Sequence, residues 1–245
     1  MTRLGIYRRA INLSMTDNAA RGEMEDDAHH FAVTLRHDGH QILEAEGEAI
    51  RTPWTICPGA LDSIQRFVGL KLDLDNRTLA HDVGAAEQCT HMFDLASLLM
   101  RHACRGTRLR EYRITLPIDD LEAPRPAILE RDGTEVLRWL VADQTITGPA
   151  PYSGLDLKTV NAWARANLAD PDEIEAVTVL RRAAYSSLAR TMDLDKFANA
   201  TPLEGRLGPC HVFRPGHIEK AERVIGSTID FSAERWPLSH PINNR

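Results

Sequence analysis

A chain of 245 residues with 43% hydrophobic and 26% charged content is long enough for a sizeable core and ordinary for a globular protein. Its formal net charge of -6 leaves no basic footprint, which weighs against nucleic-acid binding, and no apolar run approaches the roughly 20 residues that span a bilayer. The start, Met1-Thr2-Arg3-Leu4-Gly5, lacks the apolar core of a secretory signal, and four irregularly spaced cysteines do not form a disulfide framework, so a cytoplasmic setting is expected.

Residues 4–13 are weakly strand-like and run into a turn-rich stretch at 14–18. After residues 19–27 comes the strongest strand pattern in the chain, with Phe31, Val33 and Leu35 alternating with Ala32, Thr34 and Arg36. His37-Asp38-Gly39-His40 has the composition of a hairpin turn, and residues 41–50 form the returning strand. Pro58 suits the first position of a helix that places Leu61, Ile64 and Val68 on one face, has Cys57 at its N-cap, and ends at Gly69. A short helix is predicted over 77–83, closed by Gly84. The next helix opens at Cys89-Thr90-His91, repeats Met92, Leu95, Ala96 and Leu99 at helical spacing, and stops at Gly106.

The second half repeats this grammar loosely. A strand is predicted at 113–116 and a proline-marked loop follows. A second hairpin runs from 127–130 through Arg131-Asp132-Gly133 to 135–142. Gly148-Pro149-Ala150-Pro151 breaks the chain before a helix near 155–168. Asp170-Pro171-Asp172-Glu173 is a helix start with an acidic cap and proline at the first position, followed by a buried stripe of Ile174, Val177, Leu180 and Ala184. Beyond Arg190 no period is evident, and Cys210-His211 and His217 are assigned to a mobile tail. Strands cluster early in each half with helices after them, which predicts an α+β fold: antiparallel sheets packed against helices, not a parallel doubly wound sheet. One compact domain over 1–245 is expected, with sub-lobes at 1–108 and 109–190 and an extended tail over 191–245 through which homo-oligomers are conceivable.

Chemically capable residues concentrate in the first half. Read as one extended segment, Asp27 and His29 share the face of Phe31, and Asp26 and His30 take the opposite face. An acid and an imidazole on a core-facing side must be paired or must act, so Asp27 is expected to orient His29 as a general acid or base; the alternative is a structural pair at the sheet edge. Cys89, Thr90 and His91 fall in the first turn of a helix, where unpaired N–H groups and the dipole favour a thiolate and a neutral imidazole. Thr90 is therefore a candidate substrate contact, and Cys89 a candidate nucleophile. Trp54 and Arg51 precede a helix start, with Arg51 suited to a carboxylate or phenolate. Cys57, Cys89, His91 and His29 have the donors of a zinc site, although Cys-x-His is not a standard zinc spacing. His102 and Cys104, late in the same helix, are expected at the surface or in packing. Dinucleotide, phosphate-loop, zinc-protease and serine-hydrolase motifs are missing from the sequence.

Three motifs in order, Glu25-Asp26-Asp27-Ala28-His29-His30-Phe31, Pro53-Trp54-Thr55-Ile56-Cys57-Pro58-Gly59-Ala60 and Cys89-Thr90-His91-Met92-Phe93-Asp94-Leu95-Ala96, resemble the bacterial domain-of-unknown-function family 2889. The Arg131-Asp132-Gly133 turn with Trp139 and the helix at 179–183 also look like that family, so the resemblance extends to about residue 190. It implies a setting in aromatic-compound catabolism and adds weight to Asp27, His29, Cys57, Cys89 and His91. The expectation is a cofactor-independent acid–base lyase of retro-aldol type, releasing a small aldehyde from a hydroxylated aromatic small molecule. The alternatives are a zinc- or cysteine-dependent hydrolase and a ligand- or metal-binding accessory protein. No nucleic-acid or membrane partner is expected.

Overall fold

The protein, seen in a computed structural model, is described over residues 5–72, 79–118, 123–205, 210–233 and 235–239. Eight strands, β1 (Gly5–Met15), β2 (Ala19–Asp26), β3 (His30–His37), β4 (Ile42–Arg51), β5 (Leu109–Ile118), β6 (Arg125–Arg131), β7 (Thr134–Ala142) and β8 (Thr145–Gly148), hydrogen-bond in the order β4-β3-β2-β1-β5-β6-β7-β8. The sheet is antiparallel and is accompanied by helices α1 (Leu79–Asp82), α2 (Thr90–Cys104), α3 (Val160–Asn167) and α4 (Pro171–Ser187), so the fold is α+β. By contact the chain divides into one unit of residues 1–10, 111–193 and 230–245 and another of residues 11–110 and 194–229. Among the described residues no helix is long and apolar enough to cross a membrane.

In the unit holding residues 11–110, β2, β3 and β4 form the expected meander. Its first turn is tighter than the sequence pattern implies. β2 ends at Asp26 and β3 begins at His30, and the Asp26 N–H donates to the His29 carbonyl at 2.8 Å. Met24 pairs with Phe31, Gly22 with Val33 and Ala20 with Leu35, so these residues share one face. Helix α2 covers that face. A Cβ on Gly22 would lie 3.0 Å from Leu13, 3.3 Å from Leu95 and 3.4 Å from Leu99, so glycine there lets the helix approach the strand. The second turn matches its sequence: Asp38 Oδ1 accepts from the His40 and Gln41 N–H groups at 2.8 Å each, and Gly39 takes φ 89°.

The segment after Pro58 is a 3-10 helix, Cys57–Phe67, with Ile56 and not Cys57 at the N-cap. Its buried side chains are Cys57, Ala60, Ile64 and Phe67, whereas Val68 lies past the helix end with extended backbone and is 41% exposed. Helix α1 covers Leu79–Asp82 of the predicted 77–83 and stops before Val83, and residues 77 and 78 lie outside the described residues. Helix α2 starts and ends as expected, with Cys89 as N-cap and Gly106 in the left-handed region just past its end. His102 belongs to the core and not the surface: it is fully buried, with Nδ1 3.2 Å from Thr107 Oγ1.

In the other unit, Asp132 and Gly133 both adopt positive φ (52° and 78°), the geometry a two-residue hairpin between β6 and β7 requires. Trp139, Tyr152 and Trp163 pack with ring centroids 5.5 and 5.6 Å apart, and the Tyr152 hydroxyl donates to Glu173 at 2.7 Å. Asp170 caps α4 by accepting from the Asp172 N–H at 2.9 Å. Val177, Leu180 and Ala184 are buried beneath that helix, and Ile174 is half-buried.

Candidate functional site

The two-residue turn between β2 and β3 settles which acid meets which imidazole. Asp26 and His29 flank the turn and therefore emerge on the same face, one step beyond Met24 and Phe31. Asp26 Oδ1 accepts from the Ala28 N–H at 2.9 Å, the His29 N–H at 2.8 Å and His29 Nδ1 at 3.0 Å. The expectation that Asp27 orients His29 is thus corrected to Asp26, because the chain reverses at 27–28 and alternation does not run through it. Asp27 is buried too, but it works through its carbonyl, which accepts from Arg51 Nη1 and from the Ile229 N–H at 2.8 Å each.

His91 arrives from the other side, in the first turn of α2. Its ring lies 4.2 Å from that of His29, centroid to centroid, and 5.8 Å from Phe31 in a nearly parallel stack. Phe31 is buried, and His29 and His91 are half-buried. With Nδ1 of His29 donating to Asp26, its Nε2 carries the lone pair. The convergence of His29 and His91 from segments sixty residues apart follows from α2 lying on β2 and β3, with its N-terminus at the hairpin end. Among the described residues Asp26, His29 and His91 are also the one group of three metal-capable side chains whose ligand atoms lie within 4.8 Å of one another.

The remaining predicted site residues have other surroundings. Cys89 is the N-cap of α2, but burial pushes its thiol up to about 12, outweighing the His91 and Met92 N–H groups that would stabilise a thiolate. Burial also raises the Cys57 thiol strongly, with the nearby Cys89 and Cys210 sulfurs adding to the effect. The expected activation of a thiol at a helix start is therefore reversed by desolvation. Neither cysteine belongs to the group formed by Asp26, His29 and His91. Thr90, at the first position of α2, is half-buried.

Arg51 is engaged by the main chain and by Glu25. Its guanidinium donates to the carbonyls of Asp26 (2.6 Å), Asp27 (2.8 Å) and Ser227 (3.0 Å) and to Glu25 Oε1 (3.1 Å), so it clamps the hairpin from behind. Trp54 is buried, bridges Arg223 through the backbone, and has the Arg223 guanidinium 5.9 Å from its ring centre. That cation in turn pairs with Asp195 at 2.8 Å, a structural role. On the opposite face of the hairpin His30 bonds Glu23 at 2.6 Å, and that bond holds the Glu23 carboxyl below its usual range.

Residues 210–217, expected to be mobile, pack on the approach to α2. The His211 N–H donates to the Gln88 carbonyl at 3.1 Å, and the rings of His211 and His217 meet edge to face at 4.5 Å. Burial and His217 hold the His211 imidazole below its ordinary value.

Sequence reasoning named Asp26 but placed it on the wrong face, and it assigned no role to Glu25. A tighter reading of Asp26-Asp27-Ala28 as an aspartate-led turn would have located both. Comparison with curated proteins gives no match to the chain. Residues 10–105 match the family model described as "Protein of unknown function (DUF2889)", and that segment contains all three motifs together with Asp26, His29 and His91. The later pieces, the Arg131-Asp132-Gly133 turn with Trp139 and residues 179–183, lie beyond the match. Over residues 10–105 the chain is similar to the DUF2889 family.

Proposed function

We propose that the chain is a cofactor-independent acid–base lyase that cleaves a hydroxylated aromatic small molecule by a retro-aldol route. The supporting observation is the pair of imidazoles 4.2 Å apart, one of them held through Nδ1 by a buried carboxylate. Retro-aldol cleavage needs a base to take the proton of the hydroxyl and an acid to protonate the carbon left behind. The O–H bond breaks at the base, the C–C bond then breaks to release an aldehyde, and its electron pair is taken up by a proton from the acid. Nothing is oxidised or reduced. His91, at the positive end of the α2 dipole where a neutral imidazole is favoured, suits the first step, and His29, whose imidazolium Asp26 stabilises, suits the second. Phe31, itself buried, packs beside both rings and supports them. A cysteine-dependent hydrolase is less well supported, because both thiols near the α2 start are held protonated by burial.

The test is a screen of hydroxylated aromatic compounds for released aldehyde, followed by His29→Ala and His91→Ala. Each should lower the rate roughly 100- to 10,000-fold, the usual loss for one positioned acid or base. His81→Ala, with its side chain 95% exposed, is the comparison and should leave the rate unchanged. Turnover that survives both histidine substitutions would remove this pair from the chemistry.

A further inference from the structure

We infer that Asp26, His29 and His91 form a binding site for one divalent transition-metal ion of the zinc type. The inference uses the side chains of the proton-transfer reading but does not rest on it, since a metal ion and a proton compete for the same nitrogen lone pairs.

Three observations carry it. The ligand atoms of the three residues lie within 4.8 Å of one another, a separation that small side-chain rotations close around an ion with bonds of about 2.0–2.2 Å. Asp26 Oδ1 and His29 Nδ1 are 3.0 Å apart, so an ion that displaces the Nδ1 proton finds there the spacing of two adjacent ligands meeting at about a right angle on bonds of roughly 2.1 Å. The donor set is two imidazoles and one carboxylate, which suits zinc, iron, nickel or cobalt far better than calcium or magnesium.

The scaffold is also suitably built. Asp26 is fixed by two backbone N–H bonds, Arg51 clamps its carbonyl, and His91 is fixed by the first turn of α2. Donors on rigid elements lose little freedom on binding. Three protein ligands leave at least one coordination position for water or a ligand, the pattern of catalytic zinc sites. Cys57 and Cys89 are left out of this set, since both are protonated by burial and neither joins the group.

The experiment titrates chelator-stripped full-length protein with Zn2+ against a chromogenic chelator, and with Co2+ while recording its visible spectrum. One ion per chain is expected, with cobalt bands typical of nitrogen and oxygen ligands and free of sulfur charge transfer. His29→Ala and His91→Ala should each abolish stoichiometric binding, and Asp26→Asn, which replaces a charged oxygen ligand by a neutral one, should weaken it by at least the roughly 10-fold that loss of an outer carboxylate costs elsewhere. Circular dichroism checks that each variant is folded, and His91→Gln replaces His91→Ala if that one is not. Cys89→Ser and His211→Ala should bind as the wild type does. No stoichiometric ion on the wild type, or an ion retained by both folded histidine variants, overturns the proposal. Aldehyde release by the stripped protein reports on the lyase reading separately: metal binding without turnover sinks that reading alone, and turnover without metal binding sinks this one alone.

Discussion

Replacing Asp26 with alanine tests the geometry at its tightest point. The carboxylate is almost fully buried and accepts three hydrogen bonds, two of them from main-chain N–H groups of the turn. Bonds to a charged acceptor contribute roughly 1.5–3 kcal/mol each, and an unmatched buried donor costs about 1–3 kcal/mol. Water reaches the half-buried His29 ring and relieves part of that loss. The sum for Asp26→Ala is therefore about 3–5 kcal/mol, in the range seen when one partner of a buried pair is removed. Asp26→Asn keeps an oxygen for both backbone donors and gives up only the charge, so about 1–2 kcal/mol is expected. The chain contains its own control. Asp38 makes the same turn with two backbone N–H bonds but is exposed, so water replaces its carboxylate and Asp38→Ala should be far milder. Urea unfolding of the four proteins, followed by circular dichroism, gives the differences from midpoint shifts at constant slope. If Asp26→Ala unfolds at the same urea concentration as Asp38→Ala, burial is not what makes Asp26 important, and the account of the turn is wrong.

Two other outcomes follow from packing and from the thiols. Gly22→Val should cost at least about 1–3 kcal/mol by overpacking, since even a Cβ would lie 3.0 Å from Leu13 and 3.3 Å from Leu95; unchanged stability would mean that α2 does not sit on β2 as described. Cys104 and Cys210, both half-buried, should react with a thiol reagent in native protein well before Cys89. A rise from the ordinary value of 9.0 to about 12 leaves about a thousandfold less thiolate on Cys89 at any pH well below that range. Mass-spectrometric mapping showing Cys89 labelled first would restore it as a nucleophile.

Most of the fold was legible because its elements carry strong local signals. The His37-Asp38-Gly39-His40 and Arg131-Asp132-Gly133 turns, the Asp170-Pro171 helix start and the apolar period of α2 each depend on residues within one or two turns of one another. Hidden features depend on distant partners. Nothing local says that Arg51 will be consumed by the carbonyls of residues 26, 27 and 227, or that Trp54 will meet Arg223. The raised thiols were misjudged for a related reason. A helix start favours a thiolate only where the sulfur keeps some solvation, and burial is decided by what packs on top. The described residues of 194–229 are held by short 3-10 turns and isolated bridges, which leave no periodic trace in the sequence.

The acid at the site shows how a single turn length controls what a sequence can disclose. Along an uninterrupted strand, residues 27, 29 and 31 share a face; across a two-residue turn the pairs are 26 with 29 and 24 with 31. Were the two-residue reversal one place later, at 28–29, Asp27 would lie opposite His30 and His29 would fall in the turn itself. The Asp26 carboxylate that sets the observed reversal, by accepting the Ala28 and His29 N–H groups, also holds the imidazole. Fold and site therefore depend on one oxygen atom, and removing it perturbs both together. That is why Asp26→Asn, which preserves the acceptor and deletes the charge, is the substitution able to separate them. A variant that keeps its unfolding midpoint close to the wild type and still loses activity or metal affinity assigns the charge to function. One that loses both in proportion assigns Asp26 to the turn alone.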